Sequence, residues 1–303
     1  MAIGDSFEVT VGGVDGISYV DTGMYGTAEY GAVYVVEGED PAIVDSGIGT
    51  NYGAILDGLA ERGIAPEDLA TIALTHVHLD HAGGAGYLAE ACPNADVVVH
   101  ERGARHLVDP SRLVAGTKQA VGDQWEFYAD PKPIPEDRIR EVTGGDTVDL
   151  GDRVLRIHHT PGHAPHQVVF EESDESVVFT ADAAGIYVPE LDSVRQTTPP
   201  PNFDLEQCLA DLHTIRDCDP AVLCYAHFGP AATDDRLAEY ADALTEWVGA
   251  VERKRDELGD DDAVIEYFGE HTSMVETWGE RKGTAEERMN TRGVLTYLDS
   301  RTA

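Results

Sequence analysis

Two periodicities divide the chain. Up to Pro230, short apolar runs recur, each closed by glycine, aspartate or proline; from Thr233, apolar residues recur three or four positions apart. The runs at 17–20, 32–36 and 42–44 are strand-like. Gly38-Glu39-Asp40-Pro41 is a turn signal between the last two, so 32–44 predicts a hairpin. Ile55, Leu56 and Leu59 share one face of a segment that ends before Gly63, the pattern of a helix with a glycine C-cap. Strands are expected at 71–75 and 95–100, with a helix opening near His81 between them. Strand, helix and strand within ~30 residues predict a parallel crossover. Runs at 139–142, 147–150 and 154–157 open a second strand-rich half, 168–170 and 177–180 form its next hairpin, and 221–226 is a buried strand. Asp204 reads as the N-cap of a helix through Leu205, Leu209 and Leu212 to Ile215. Leu237, Tyr240, Leu244, Trp247, Val248 and Val251 then mark one face of an amphipathic helix, followed after Asp260-Asp261-Asp262 by shorter helices to Leu298. Residues 109–135 have weak periodicity and are expected as an irregular binding loop or lid, its Trp125, Phe127 and Tyr128 either walling a pocket or packing the segment down. Residues 185–203 are expected as a loop near the mouth of a site.

The densest chemistry lies where the strand at 71–75 gives way to a helix: Thr75-His76-Val77-His78-Leu79-Asp80-His81, then Ala82-Gly83-Gly84. On extended backbone His76 and His78 can reach one cation; Asp80 and His81 follow the turn and can reach a second. Imidazole and carboxylate without thiolate suit zinc, with iron or manganese as alternatives. Three further strand ends carry ligand-type residues: Asp45 after 42–44, Asp182 after 177–180, and His227 after 221–226. Thr160-Pro161-Gly162-His163 follows the strand at 154–157, with His166 three residues on. Asp45 on its own reads as a turn aspartate bonding its own backbone.

The His-x-His-x-Asp-His pattern after a strand resembles the metallo-β-lactamase superfamily of metal-dependent hydrolases. Thr-Pro-Gly-His at 160–163, Asp182 and His227 stand where that resemblance looks for further ligands. It implies an α/β fold, an αββα sandwich with a C-terminal helical extension, here divided as 1–232 and 233–303. It implies His76, His78 and His163 around one metal and Asp80, His81 and His227 around another, with Asp182 bridging and Asp45 supporting the loop from behind. Ala181 stands where the family usually has glycine. The cofactor implied is two zinc ions per chain, iron or manganese being alternatives. A hydroxide shared by the ions would attack a small ester, thioester or lactone, with Asp80 as the catalytic residue that orients it or carries the proton to the leaving group. Phosphodiester or RNA cleavage, and iron-dependent persulfide dioxygenation, are the alternative chemistries; the flavodiiron branch has Glu where His78 stands. His166, Tyr187 and Arg195 are candidate substrate contacts. His100-Glu101-Arg102-Gly103 and Ala226-His227-Phe228-Gly229 look most like a poorly characterised prokaryotic branch of the superfamily.

Charge alters the expected setting. Acidic residues number 57 against 21 Lys and Arg, a net charge of −36, and they are spread along the whole chain. Such self-repulsion opposes compaction in dilute buffer, while at molar salt the screening length falls to ~3 Å. A high-salt cytosol is therefore expected, and a nucleic-acid partner is disfavoured. No apolar run approaches the ~18 residues of a membrane span, so no membrane partner is expected. Met1-Ala2-Ile3-Gly4-Asp5 lacks the features of a signal peptide, which points to the cytoplasm. Cys92, Cys208, Cys218 and Cys224 form no C-x-x-C pair and read as reduced. A small-molecule substrate is the expected partner, and homo-oligomers are left open.

Overall fold

The computed structural model describes residues 2–302. Its first sheet runs in chain order: β1 (Ser6–Glu8), β2 (Ile17–Asp21), β3 (Ala32–Val36), β4 (Ala42–Val44), β5 (Thr71–Ala73), β6 (Asp96–His100) and β7 (Ile139–Val142). Pairing is antiparallel from β1 to β4 and parallel from β4 to β7. The change of direction follows the connections. A short connection such as the five residues between β3 and β4 can only reverse the chain, whereas helical crossovers return it to the same end. The crossovers are α1 (Tyr52–Glu61), then α2 (Leu79–Ala82) with α3 (Ala85–Ala91), then α4 (Glu101–Val108) with α5 (Ser111–Val121).

The second sheet holds β8 (Thr147–Asp149), β9 (Val154–His159), β10 (Val168–Glu172) and β11 (Val177–Ala181). A separate hairpin, β12 (Ile186–Val188) with β13 (Ser193–Arg195), and helix α6 (Leu205–Asp217) precede its last strands, β14 (Val222–Tyr225) and β15 (Gly229–Ala232). The chain ends in α7 (Arg236–Leu258), α8 (Asp261–His271) and α9 (Val275–Thr302).

Side-chain alternation stacks these elements into four layers. On β3, Val33 and Val35 face α1 and α3 with Ile43, Ile55, Leu59 and Leu88. Ala32, Tyr34 and Val36 face the other way, against Leu155, Phe170, Phe179 and Val222 of the second sheet. The outer face of that sheet, through Val169, Val178 and Leu223, packs on Leu212, Ile215, Tyr240, Leu244 and Trp247. The fold is thus the expected αββα sandwich, and the C-terminal helices cover the second sheet. Burial of each large apolar side chain contributes roughly 1.5–3 kcal/mol. Polar ties also cross between the sheets, among them the Tyr34 hydroxyl, which donates to the Tyr225 carbonyl at 2.8 Å and fixes β14 just before His227. Among the described residues, no helix is long and apolar enough to cross a membrane.

Three expectations need correction. Residues 139–142 open no second half; they pair in parallel with β6 and complete the first sheet. Residues 109–135 are largely helical, as α5 and a 3-10 turn at 122–127. No residue of α5 is fully buried; its apolar Leu113, Val114 and Val121 are only partly covered, which keeps its periodicity weak. Residues 185–203 contain the β12–β13 hairpin, with Tyr187 opposite Val194 and Ile186 opposite Arg195.

Candidate metal centre

The histidine loop is clamped from behind by the turn after β4. Ser46 N–H and its hydroxyl both donate to the His81 carbonyl, at 2.7 Å each, and Gly84 N–H donates to the Gly47 carbonyl at 3.0 Å. This approach needs glycine, because a Cβ on Gly84 would lie 2.1 Å from the Ser46 carbonyl oxygen. Asp45 itself sits at φ 65°, a left-handed conformation that aspartate tolerates better than most residues. That conformation aims its carboxylate into the loop. Oδ1 accepts from Thr75 N–H at 2.9 Å and from the Thr75 hydroxyl at 2.8 Å, and Oδ2 accepts from His81 Nδ1 at 2.9 Å.

Seven side chains converge in front of this frame, in two groups. His76, His78, His163 and Asp182 bring one ligand atom each within 4.8 Å of one another, as do Asp80, His81 and His227. His78 Nδ1 lies 3.1 Å from both His76 Nε2 and His163 Nε2. Asp182 stands between the groups. Its Oδ2 is 3.0 Å from His163 Nε2, 3.9 Å from His76 Nε2 and 3.5 Å from His81 Nε2, and its Oδ1 is 3.6 Å from His227 Nε2. Asp80 Oδ2 lies 3.8 Å from His81 Nε2 and 3.7 Å from His227 Nε2. Donors held ~2.0–2.1 Å from a tetrahedral ion stand about 3.3 Å apart, inside this range. Two inward-facing atoms, His81 Nε2 and Asp182 Oδ1, are buried with no hydrogen-bond partner. Buried polar atoms are rarely left so, and a cation between the groups would satisfy both. The residues therefore fit metal ions.

The electrostatics distinguish the groups. Burial, with the imidazoles of His81, His78 and His163, pushes His76 well below its ordinary pKa. Burial and His163 bring His78 down to about 4, and burial lowers His163 against the pull of Asp182. These rings are neutral, the form a metal needs. Burial also disfavours charge on His81 and His227, but Asp182 and Asp80, joined at His81 by Asp45, outweigh it and raise both. A cation there must displace protons. Burial would raise Asp80 and Asp182; histidine neighbours reverse this, chiefly His81 and His227 at Asp80 and His163 and His81 at Asp182, holding both below the carboxylate range.

Several supporting residues escaped sequence reasoning. His227 Nδ1 donates to the Tyr30 carbonyl at 2.9 Å, which leaves Nε2 facing inward. The Tyr30 hydroxyl donates to Glu286 at 3.1 Å, and Lys282 donates to the same carboxylate at 2.7 Å, so α9 backs the site. Asp211 of α6 accepts from Gly162 N–H at 2.7 Å and anchors the turn that presents His163; burial raises its pKa to about 6. Gly162 lies so close to α6 that a Cβ would meet Cys208 N at 2.4 Å.

The centre opens into a cavity of about 630 Å³. His78, Asp80, His163, Asp182 and His227 form its floor, and Tyr25, Tyr30, Tyr128, Leu113, Val121 and Pro199–Pro201 contribute walls. Tyr128, one of the aromatics of the segment at 109–135, hydrogen-bonds through its hydroxyl with that of Tyr25. His166 also lines the cavity, its Nδ1 accepting from Val77 N–H at 3.5 Å. Tyr187 and Arg195 are not among the lining residues. The Tyr187 hydroxyl donates to Asp192 at 3.0 Å, while its backbone N–H donates to the His227 carbonyl at 2.6 Å. Arg195 lies near Glu287.

Comparison with known proteins places this geometry in context. Residues 26–227 match the model of the metallo-beta-lactamase superfamily. The metallo-beta-lactamase fold-containing protein ST1585 of Sulfurisphaera tokodaii is 28% identical over 221 residues, 71% of this chain and 78% of that protein. Its crystal structure superposes with a TM-score of 0.71 at 24% identity, covering 93% of this chain and 99% of that one. The human acyl-coenzyme A thioesterase MBLAC2 is 27% identical over 190 residues, 55% of this chain and 63% of its own length. The metallo-beta-lactamase family protein TTHA1429 of Thermus thermophilus superposes with a TM-score of 0.63 at 24% identity, covering 90% of this chain and 89% of that one. At such identities the structural likeness speaks for the fold alone.

Proposed function

The chain is a metal-dependent hydrolase belonging to the metallo-beta-lactamase superfamily, and we propose that it holds two ions and opens a small ester, thioester or lactone, a thioester first among these. His76, His78 and His163 would hold one ion and Asp80, His81 and His227 the other, with the Asp182 carboxylate between the two groups. Zinc suits this donor set, with iron or manganese as substitutes. The observation that carries the reading is the position of Asp182, within 3.0–3.9 Å of four histidines drawn from both groups. The thioester preference draws on the likeness to the acyl-coenzyme A thioesterase.

When bound, such ions would supply Lewis acidity that lowers the pKa of a water and polarises the bond to be broken. The protein's own groups do the rest. Asp45 and the Tyr30 carbonyl hold Nδ1–H of His81 and His227, which fixes the tautomers that present Nε2 inward. Asp80 is the most exposed carboxylate of the centre and borders the cavity, so it is placed to hold the attacking water and to pass a proton to the leaving group. The tyrosine wall of Tyr25, Tyr30 and Tyr128 keeps bulk water off one side. His166, pushed by burial down to about 2, is neutral and can donate only through Nε2, which suits it to a substrate oxygen.

The test is elemental analysis of protein purified in high KCl, with initial rates on thioester, lactone and phosphodiester substrates. Two ions per chain and thioester turnover are expected, with one equivalent weakened and turnover lost in His163→Ala. Metal-free protein of full activity, or turnover of phosphodiesters alone, would overturn the proposal.

A further inference from the structure

Basic side chains are scarce in this chain, 21 among 303 residues, yet three arginines line the one cavity that holds the metal centre: Arg102 and Arg105 of α4 and Arg112 of α5. Their placement follows from the helices. Arg102 and Arg105 are three residues apart and share a face, while Gly103, Ala104 and Leu107 bury the opposite face of α4 in the core. Arg112 lies in the first turn of α5, after the short break that follows α4. Arg105 and Arg112 both act on His106: burial lowers its pKa first, and their charges lower it further.

What these guanidinium groups lack is an anion. Among the described residues none of the three forms an ion pair, in a protein with 57 carboxylates. Arg102 reaches only the Pro165 carbonyl, at 3.5 Å, and Arg105 only His106, at 3.2 Å. The carboxylates that border the cavity are engaged elsewhere: Asp80 and Asp182 among the histidines, and Glu286 with Lys282 and Tyr30. The cavity is thus lined by the histidines and carboxylates of the centre, by three guanidinium groups, and by apolar side chains that include Leu113, Val121 and Met289.

We infer that Arg102, Arg105 and Arg112 form an anion-recognition site, and that the substrate carries a phosphate or carboxylate in addition to its scissile carbonyl. Guanidinium is the side chain best matched to either group, because its fork offers paired N–H donors to two oxygens. At molar salt the screening length is only ~3 Å, so a diffuse basic field would do little there and direct contact is what remains. The substrate class in this inference rests on the hydrolase reading above; the anion site does not.

The test separates the two. Metal-loaded wild type and the triple variant R102Q/R105Q/R112Q, with R253Q on the far helix α7 as a charge control, are titrated calorimetrically in KCl with desulfo-coenzyme A for phosphate and with glutarate for carboxylate. Turnover is measured on an acyl-coenzyme A, on a glutaryl thioester of N-acetylcysteamine, and on its neutral acetyl thioester. At least one anionic probe should bind wild type and R253Q and lose roughly tenfold or more of its affinity in the triple variant. KM for the matching anionic substrate should rise by a similar factor, while the neutral thioester changes by less than about twofold. The probe that responds identifies the anion. Equal effects on neutral and anionic substrates, or no binding of either probe to wild type, would overturn the site. Probe binding that depends on the arginines, with no thioester turned over, would keep the anion site and remove the thioester reading instead.

Discussion

Asp45→Asn probes the proposed centre without changing its shape. In the wild type, Asp45 accepts from Thr75 N–H, from the Thr75 hydroxyl and from His81 Nδ1, at 2.8–2.9 Å. An amide oxygen can keep the Thr75 contacts, which turns the NH2 toward His81. That group only donates, so Nδ1 must accept and the ring proton moves to Nε2. Nε2 is the atom that faces Asp80 and Asp182, and a protonated Nε2 has no lone pair for a cation. Loss of such a supporting partner typically costs ~10–100-fold in metal affinity, or about 1.4–2.7 kcal/mol. The measurement is competition of loaded protein against a chromophoric chelator, with elemental analysis at each step. One of two metal equivalents should weaken by that factor. The other should hold, because His76, His78 and His163 make no bond to Asp45. The metal-free melting temperature should fall only modestly, since all three partners stay hydrogen-bonded. Two equivalents bound as in wild type would refute the tautomer argument, and equal weakening of both would refute the division into two sites.

Three further outcomes follow from the same structure. Gly162→Ala places a methyl 2.4 Å from Cys208 N, so either α6 or the His163 turn must move; thermal melts should show a loss of about 2 kcal/mol or more, together with weaker metal retention. Glu287 is buried, and its pKa is pushed by burial from 4.5 to about 7. Its folded pKa lies above its unfolded one, so the folded chain keeps the proton longer and stability falls as pH rises through that window, by about 3 kcal/mol at most; Glu287→Gln should flatten the urea-derived stability profile between those pH values, and an unchanged slope would count against it. With a net charge of −36, the melting temperature should climb steeply with KCl and level off as the screening length approaches ~3 Å; a protein most stable in dilute buffer would remove the case for a high-salt setting.

How much of this was legible in the chain depended on the range of the interaction. Strands buried on both faces, such as β3, show as apolar runs, and α7 shows as a stripe because every residue of that stripe is buried. The histidine loop was legible because its ligand-type residues fall within six positions. Long-range pairing was not. Residues 139–142 look the same whether they close the first sheet or open the second, and only their partner β6, about 40 positions earlier, decides. Asp211 reads as an ordinary helix acid, since its partner Gly162 lies 49 residues away. Nothing local to the arginines of α4 and α5 says that they share a cavity with His163.

Ala181 shows why a departure from a motif can leave the geometry intact. It occupies the position before Asp182 where the superfamily usually has glycine, and it takes φ 46°, the left-handed region that glycine enters freely. Alanine pays roughly 1–2 kcal/mol to be there. The conformation persists because its surroundings over-determine it: β11 pairs with β10 as far as Phe179 and with β14 as far as Ala181, across a register shift between the two, the methyl is buried, and Ala183 N–H closes a turn onto the Thr180 carbonyl at 3.0 Å. The next residue must then point its carboxylate between the two histidine groups. The position of Asp182 is therefore set by the end of the sheet, and the identity of residue 181 changes what that position costs without changing where it is.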